Sequence, residues 1–119
     1  MSEYRTIKEL KEQIKRLQQD LKHLATNLRV PQDETDRVYF WLGRALQKIR
    51  TERSVNQEAL ANDLGLTRTS LANMEAGKQK APLHVWKNAA LRLKVDLPYL
   101  LELSAALEED HAEMMNEGG

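Results

Sequence analysis

The sequence of 119 residues contains no cysteine, which excludes both a disulfide framework and a thiolate metal site. It has no apolar run near the roughly 18 residues that a membrane-spanning helix needs. Its first residues, MSEYRTIKELKEQ, are too charged for the apolar core of a secretion signal. Aromatic residues make up only 5% of a chain rich in Leu, Ala, Lys and Glu. These features predict an all-α, cytoplasmic protein with no membrane segment.

Basic residues are missing from the C-terminal segment. Residues 104–119 carry five acidic side chains and no basic one, although the formal net charge of the whole chain is +0. Residues 1–103 carry 18 basic and 13 acidic side chains, a net charge of +5. The neutral total therefore conceals a mildly basic body and an acidic tail, which we place at residues 105–119. We expect the last helix to continue through residues 104–107 into Glu108–Asp110. We expect the tail to be solubilising and frayed from Met114 onward.

Residues 1–31 carry a heptad repeat. Isoleucine or leucine recurs at alternating spacings of three and four residues, at Ile7, Leu10, Ile14, Leu17, Leu21, Leu24 and Leu28. This a/d pattern, with polar residues between, predicts a long coiled-coil helix that ends at Val30-Pro31 and pairs two copies of the chain. Isoleucine at the first a positions with leucine at d favours parallel pairing, but the sparse charges at e and g leave antiparallel pairing open. The alternative is an amphipathic helix folded against its own domain.

The sequence pattern of residues 32–104 predicts a compact domain of five helices. Four polar residues stand where helices should start, as N-caps: Asp33 (or Thr35), Asn56, Thr67 and Asp96. Gly65 and Gly77 stand where left-handed C-terminal stops are needed. Apolar residues at helical spacing should face the core, namely Val38, Trp41, Leu42, Ala45, Leu46 and Ile49 in the first helix and Ala59, Leu60 and Leu64 in the second.

The run NQEALANDLGLTRTSLANMEAGK, preceded by LGRALQKIR, closely resembles the helix-turn-helix of the lambda-repressor-like, or XRE, family of phage and bacterial repressors. The resemblance covers about Leu42 to Leu101, and the spacing of its Gln, Leu-Ala, Gly and Glu-x-Gly positions is fairly specific. Lys94 stands where this family usually has glycine. The resemblance implies a bacterial or phage-encoded, nucleoid-associated regulator that binds double-stranded DNA, with a repressor homodimer on a palindromic operator as the expected form.

Individual residues receive roles from the same resemblance. Positions matching Arg68, Thr69 and Asn73 commonly reach base edges in this family. Those matching Gln57, Thr67 and Ser70 contact the phosphate backbone, and Gln57 also braces the second helix of the motif. Arg50 and Glu75 match a pair that joins two helices, which we interpret as a structural salt bridge.

Side-chain chemistry agrees with these roles. The fork of Arg68 fits guanine O6 and N7, the amide of Asn73 fits adenine, and Thr69 offers a methyl group to thymine. Lys78 and Lys80, after the second motif helix, are candidates for phosphate contacts.

Other function classes have little support in the sequence. His84 and His111 lack the neighbouring groups that a catalytic or metal site needs, so we expect neither an enzyme nor a cofactor. Two alternatives remain. One is an antitoxin-like or anti-regulator module that binds a protein partner through the arm or the tail. The other is an architectural or coactivator module that binds DNA without sequence preference.

Overall fold

The residues that the structure describes fold into six helices. The computed structural model describes the backbone of residues 2–117 and the side chains of residues 6–20 and 28–116. The helices are α1 (Ser2–Asn27), α2 (Glu34–Glu52), α3 (Gln57–Leu64), α4 (Arg68–Glu75), α5 (Leu83–Arg92) and α6 (Leu97–Glu117). No strand occurs in this described backbone. The predicted fold class, a long N-terminal helix followed by a five-helix domain, is confirmed.

The predicted caps fix the starts of the two eight-residue helices, α3 and α4. Asn56 Oδ1 accepts a hydrogen bond from the backbone N–H of Ala59 at 2.8 Å, and Thr67 Oγ1 accepts one from Ser70 at 3.0 Å. Asp33 and Asp96 cap α2 and α6 in the same way. Because α3 and α4 have only eight residues each, they are too short to be stable alone and depend on caps and packing.

Four helices end in the same left-handed turn. A residue at the C-cap or directly after it has a positive φ in each case, at Ser54 (58°), Gly65 (69°), Gly77 (77°) and Lys94 (68°). At the end of α5, the N–H of Lys94 donates to Leu91 O at 3.1 Å and that of Val95 to Ala90 O at 3.0 Å, the bonding of a Schellman motif. The predicted glycine stops are confirmed, and Ser54 and Lys94 hold the same conformation with a side chain present.

The core lies between α2, α3, α4, α5 and the first half of α6. Its fully buried large side chains come from every one of these segments: Leu46, Leu60, Leu71, Met74, Trp86, Leu93 and Leu100. The indole N–H of Trp86 donates to Ala81 O at 3.0 Å, so the largest core side chain has its polar atom satisfied.

Two residues expected in the core lie at the surface. Val38 is 52% exposed, and Ala59 is exposed on α3. At the start of α2 the buried side belongs instead to Phe40, which contacts Gly77, and to Tyr39, whose ring lies 6.3 Å from that of Trp86. The helical period alone placed Val38 inside because it does not show which side of the first turns of α2 is covered.

The chain divides into two units, Val30–Asp110 and a second made of Met1–Arg29 with His111–Gly119. Two helix ends differ from expectation. The first helix stops at Asn27 rather than at Val30-Pro31, and α6 continues through the acidic segment to Glu117. Within the first unit, Leu107 packs against the core and Glu108 forms a 3.2 Å ion pair with Arg37, which explains why the helix persists beyond Ser104. None of the described helices is long and apolar enough to cross a membrane.

Candidate nucleic-acid interface

Helix α4 lies directly on the backbone of α2. A Cβ atom added at Gly43 would lie 2.3 Å from Met74 O and 2.8 Å from Glu75 O. Since real Cβ atoms do not approach oxygen so closely, only glycine at this position lets the last turn of α4 rest on α2. Gly43 is therefore a positioning residue for α4, and its part was not recognised from the sequence.

A buried ion pair holds the same turn of α4 from the side. Arg50 Nε lies 2.6 Å from Glu75 Oε2, and its second nitrogen donates to Glu75 Oε1 at 3.0 Å. Arg50 also donates to Val55 O at 2.8 Å. Arg50 is 8% exposed and Glu75 is 3% exposed, so the ion pair is buried. The structure thus places in contact the two residues that the sequence predicted as a structural salt bridge. A two-bond Arg–carboxylate contact fixes orientation as well as distance.

The same carboxylate positions Gln57. Gln57 Nε2 donates to Glu75 Oε1 at 2.9 Å, which ties the first turn of α3 to the last turn of α4. Gln57 is only half-buried, so part of its side chain remains at the surface. Arg50, Glu75 and Gln57 thus form one network that sets the angle between the two motif helices.

The first turns of α4 present polar side chains to solvent. Arg68 and Thr69 are exposed and Asn73 is half-buried. Within the described residues, the side chains of these three make no hydrogen bond or ion pair. Arg68 also borders an open depression of about 400 Å³ together with Arg50, Asn56, Gln57 and Glu58. Their donors are therefore available to an external ligand.

Thr67 and Ser70 are also hydrogen-bonded to each other through their side chains at the start of α4. The Thr67 hydroxyl donates to Ser70 Oγ at 3.0 Å while it accepts from the Ser70 N–H. Ser70 therefore keeps its own hydroxyl hydrogen for another acceptor. The first N–H groups of a helix also point outward at its positive end, a favourable place for an anion.

The loop after α4 supplies one unpaired and one paired lysine. Lys78 is exposed, and its backbone N–H donates to Asn73 O at 2.8 Å, which keeps the loop close to the end of α4. Within the described residues its ammonium group has no partner. Lys80 instead forms an ion pair with Asp36 at 2.5 Å, and this hydrogen-bonded contact raises the pKa of Lys80 above its usual value.

Six of the seven expected pairing residues lie on α1. Ile7, Leu10, Ile14 and Leu17 are 52–61% exposed. Leu28 lies beyond the helix end and is half-buried. The side chains of Leu21 and Leu24 lie outside the described residues.

No cluster of three or more His, Cys, Asp or Glu side chains suited to a metal ion occurs in the described part of the chain. His84 is exposed on α5 and His111 is half-buried on α6.

Comparisons with known proteins agree with this geometry. A family model described as a helix-turn-helix domain matches residues 43–105, slightly more than half of the chain. Two crystal structures of the clp gene regulator ClgR from Corynebacterium glutamicum share the fold, each with a TM-score of 0.57. One is 20% identical over 58% of this chain and 88% of its own length, and the other is 21% identical over 68% and 93%. No curated protein matches the chain.

Proposed function

We propose that this chain, which belongs to the helix-turn-helix domain family in its lambda-repressor-like form, is a DNA-binding transcription regulator that reads a specific operator with α4 and acts as a homodimeric repressor. Helix α3 and the loop after α4 hold the phosphate backbone on either side. What we propose is which side chains contact DNA, that the operator is palindromic, and that binding represses transcription.

One observation carries the proposal, namely the way that the side chains of α4 divide between two tasks. Leu71, Met74 and Glu75 are buried and attach the helix to its neighbours. Arg68, Thr69 and Asn73 are left without internal partners among the described residues. A short helix that is rigidly held and displays unpaired donors at its N-terminal end has the form that enters the major groove.

Each displayed side chain suits a particular base edge. Arg68 can donate two parallel hydrogen bonds to guanine O6 and N7, and Asn73 can pair with adenine N6 and N7. Thr69 has a methyl group that fits against the methyl of thymine. We infer that these three residues determine operator preference, with Arg68 the largest contributor.

The charge of the segment that contains α4 favours DNA, although Glu58 of α3 borders the same depression as Arg68. Between Asp63 and Asp96 the only acidic residue is Glu75, and it is buried and paired with Arg50. Gln57, Thr67, Ser70 and Lys78 surround the reading residues with phosphate-binding groups. We infer that these four contact the backbone, which positions α4 without itself selecting a sequence.

A homodimer would read two half-sites related by a two-fold axis. In such complexes the half-sites lie about 34 Å apart, or a multiple of this distance. Few side chains read bases in one copy, so doubling supplies both affinity and operator length. Repression then follows from occupation of the operator, which excludes other proteins from that DNA.

Selection of bound sequences from random double-stranded DNA tests the proposal. We expect a palindrome with half-sites at the stated spacing. Arg68→Ala should weaken binding to the selected operator by about 1–3 kcal/mol and relax the preference at one base position. The matched control is Lys78→Ala, which should weaken binding to all sequences alike. Equal losses for both variants on random DNA would overturn base reading by Arg68.

A second function is favoured by one observation, the exposed apolar side of α1. This apolar side of α1 would also fit a partner protein other than a second copy, as in an antitoxin-like or anti-regulator module. Stoichiometric co-purification of another protein, lost when Leu17 is replaced by lysine, would favour this role. Operator binding by the purified chain alone, with no such companion, favours the regulator.

A further inference from the structure

The surface of α1 that remains uncovered is a continuous apolar seam. Ile7, Leu10, Ile14 and Leu17 are 52–61% exposed, about as much as a lone helix permits. All other residues from Lys8 to Asp20 are charged or are glutamine. Nothing in the described part of the chain covers these four side chains, and polar residues border the seam on both sides. Such a seam marks an interface rather than a solvated face.

We propose that the seam pairs in parallel with the same seam of a second copy. This inference rests on the homodimer proposed above, and it specifies the surface and orientation of that dimer.

The available area suits two copies of α1. Each seam side chain, about half exposed on α1, would bury roughly 90 Å² when a partner covers it, the order of area that burial of one Leu or Ile side chain removes from water. The heptad positions continue within α1 through Leu21 and Leu24. Six positions from each copy therefore give about 1,100 Å² in total, slightly above the roughly 1,000 Å² that a specific interface needs. The pair should therefore be specific but dependent on concentration.

Charge does not oppose self-pairing. In a parallel pair, each g position meets the e position of the next heptad in the other copy. This register places Thr6 against Lys11, Gln13 against Gln18, and Asp20 against Ala25. No two like charges meet, so a second copy is accepted without repulsion.

Side-chain shape selects the parallel orientation. The first two a positions are Ile7 and Ile14, and the d positions are leucine. In parallel pairs β-branched residues pack well at a, and leucine packs well at d, in two-stranded assemblies. Antiparallel pairing would mix the two kinds of layer and lose this match. Parallel pairing also brings both Asn27 ends to the same end of the coiled coil.

Cysteine cross-linking tests the orientation cleanly because the chain has no native cysteine. In a parallel pair residue 10 faces its own counterpart, so Leu10→Cys should form a covalent dimer under mild oxidation. In a fully overlapped antiparallel pair residue 7 faces residue 24. A mixture of Ile7→Cys and Leu24→Cys proteins should therefore give no mixed dimer beyond random pairing. Glu12→Cys, on the opposite side of α1, is the matched control.

Sedimentation of the intact chain at increasing concentration accompanies the cross-linking. We expect a dimer whose dissociation constant rises at least tenfold in Leu17→Lys and is unchanged in the control Gln19→Lys. Cross-linking of Glu12→Cys as efficient as that of Leu10→Cys, or preferential formation of the mixed dimer, would overturn the proposal. So would a dimer unaffected by Leu17→Lys. A chain that dimerises in this way but binds no DNA would overturn only the regulatory function.

Discussion

Replacement of Glu75 tests the central network of the interface. Glu75→Gln removes the charge that neutralises Arg50, which is 8% exposed and has no other acid within the described contacts. Leaving one member of a buried ion pair uncompensated costs about 3–5 kcal/mol, and we expect the lower end because glutamine keeps one acceptor. A domain of this size has a total stability of about 5–10 kcal/mol. The variant should therefore be folded but clearly destabilised.

Urea denaturation followed by circular dichroism measures the effect. With an m value of about 1 kcal/mol/M, the midpoint should fall by about 3 M. Glu52→Gln is the matched control, since Glu52 pairs with Lys48 at the surface, at 58% and 48% exposure, and should change the midpoint little. If both variants lose the same stability, the Arg50–Glu75 pair does not hold α4 in place.

A double variant separates stability from function. Arg50→Met combined with Glu75→Leu removes both charges, and such apolar replacements are often neutral or stabilising. We expect it to recover most of the stability lost in Glu75→Gln. It should still bind operator several-fold more weakly, because Gln57 loses its acceptor on Glu75. Full recovery of DNA affinity would show that Gln57 needs no positioning by this network.

Three further outcomes can be measured on single variants. Lys94→Gly should raise stability by about 0.5–1 kcal/mol, seen as a higher Tm, because Lys94 holds a φ of 68° that glycine adopts without strain. Gly43→Ala should cost about 3 kcal/mol in the same assay, since its Cβ would overlap Met74 O. A dimer that neutralises two or three phosphates per copy should bind operator with a log–log salt slope of about −4 to −5, and Lys78→Ala should make it shallower by about 2 units per dimer. An unchanged Tm in Lys94→Gly would contradict the first expectation. Unchanged stability in Gly43→Ala would contradict the second, and an unchanged salt slope in Lys78→Ala would contradict the third.

Much of the fold was predictable from local signals. The caps at Asn56 and Thr67 and the stops at Gly65 and Gly77 act within a few residues of themselves, so their chemistry is visible in the sequence. The heptad spacing of α1 is equally local. These signals located the helices correctly to within a few residues, except at the ends of α1 and α6.

Features that depend on distant contacts were not predictable. Gly43 matters because of carbonyl groups about 30 residues later, and nothing in its own neighbourhood indicates that approach. The continuation of α6 into Glu108–Asp110 was expected, but its continuation to Glu117, past the expected fraying at Met114, was not. Acidic residues near a helix C-terminus oppose its dipole, so local reasoning favoured fraying there.

Several basic side chains already have partners within the chain, and this explains why dimerisation matters for the proposed function. Several cations near α4 are already engaged, since Arg44 lies over the Phe40 ring, Lys48 pairs with Glu52 and Lys80 pairs with Asp36. In this part of the described surface the cations without internal partners are Arg53, Arg68 and Lys78. Three cations release too few counterions for tight binding by one copy at physiological salt. Linking two copies makes the second half-site contact intramolecular, which multiplies affinity without any new contact to DNA. Weak pairing through α1 would then tie operator occupancy to protein concentration.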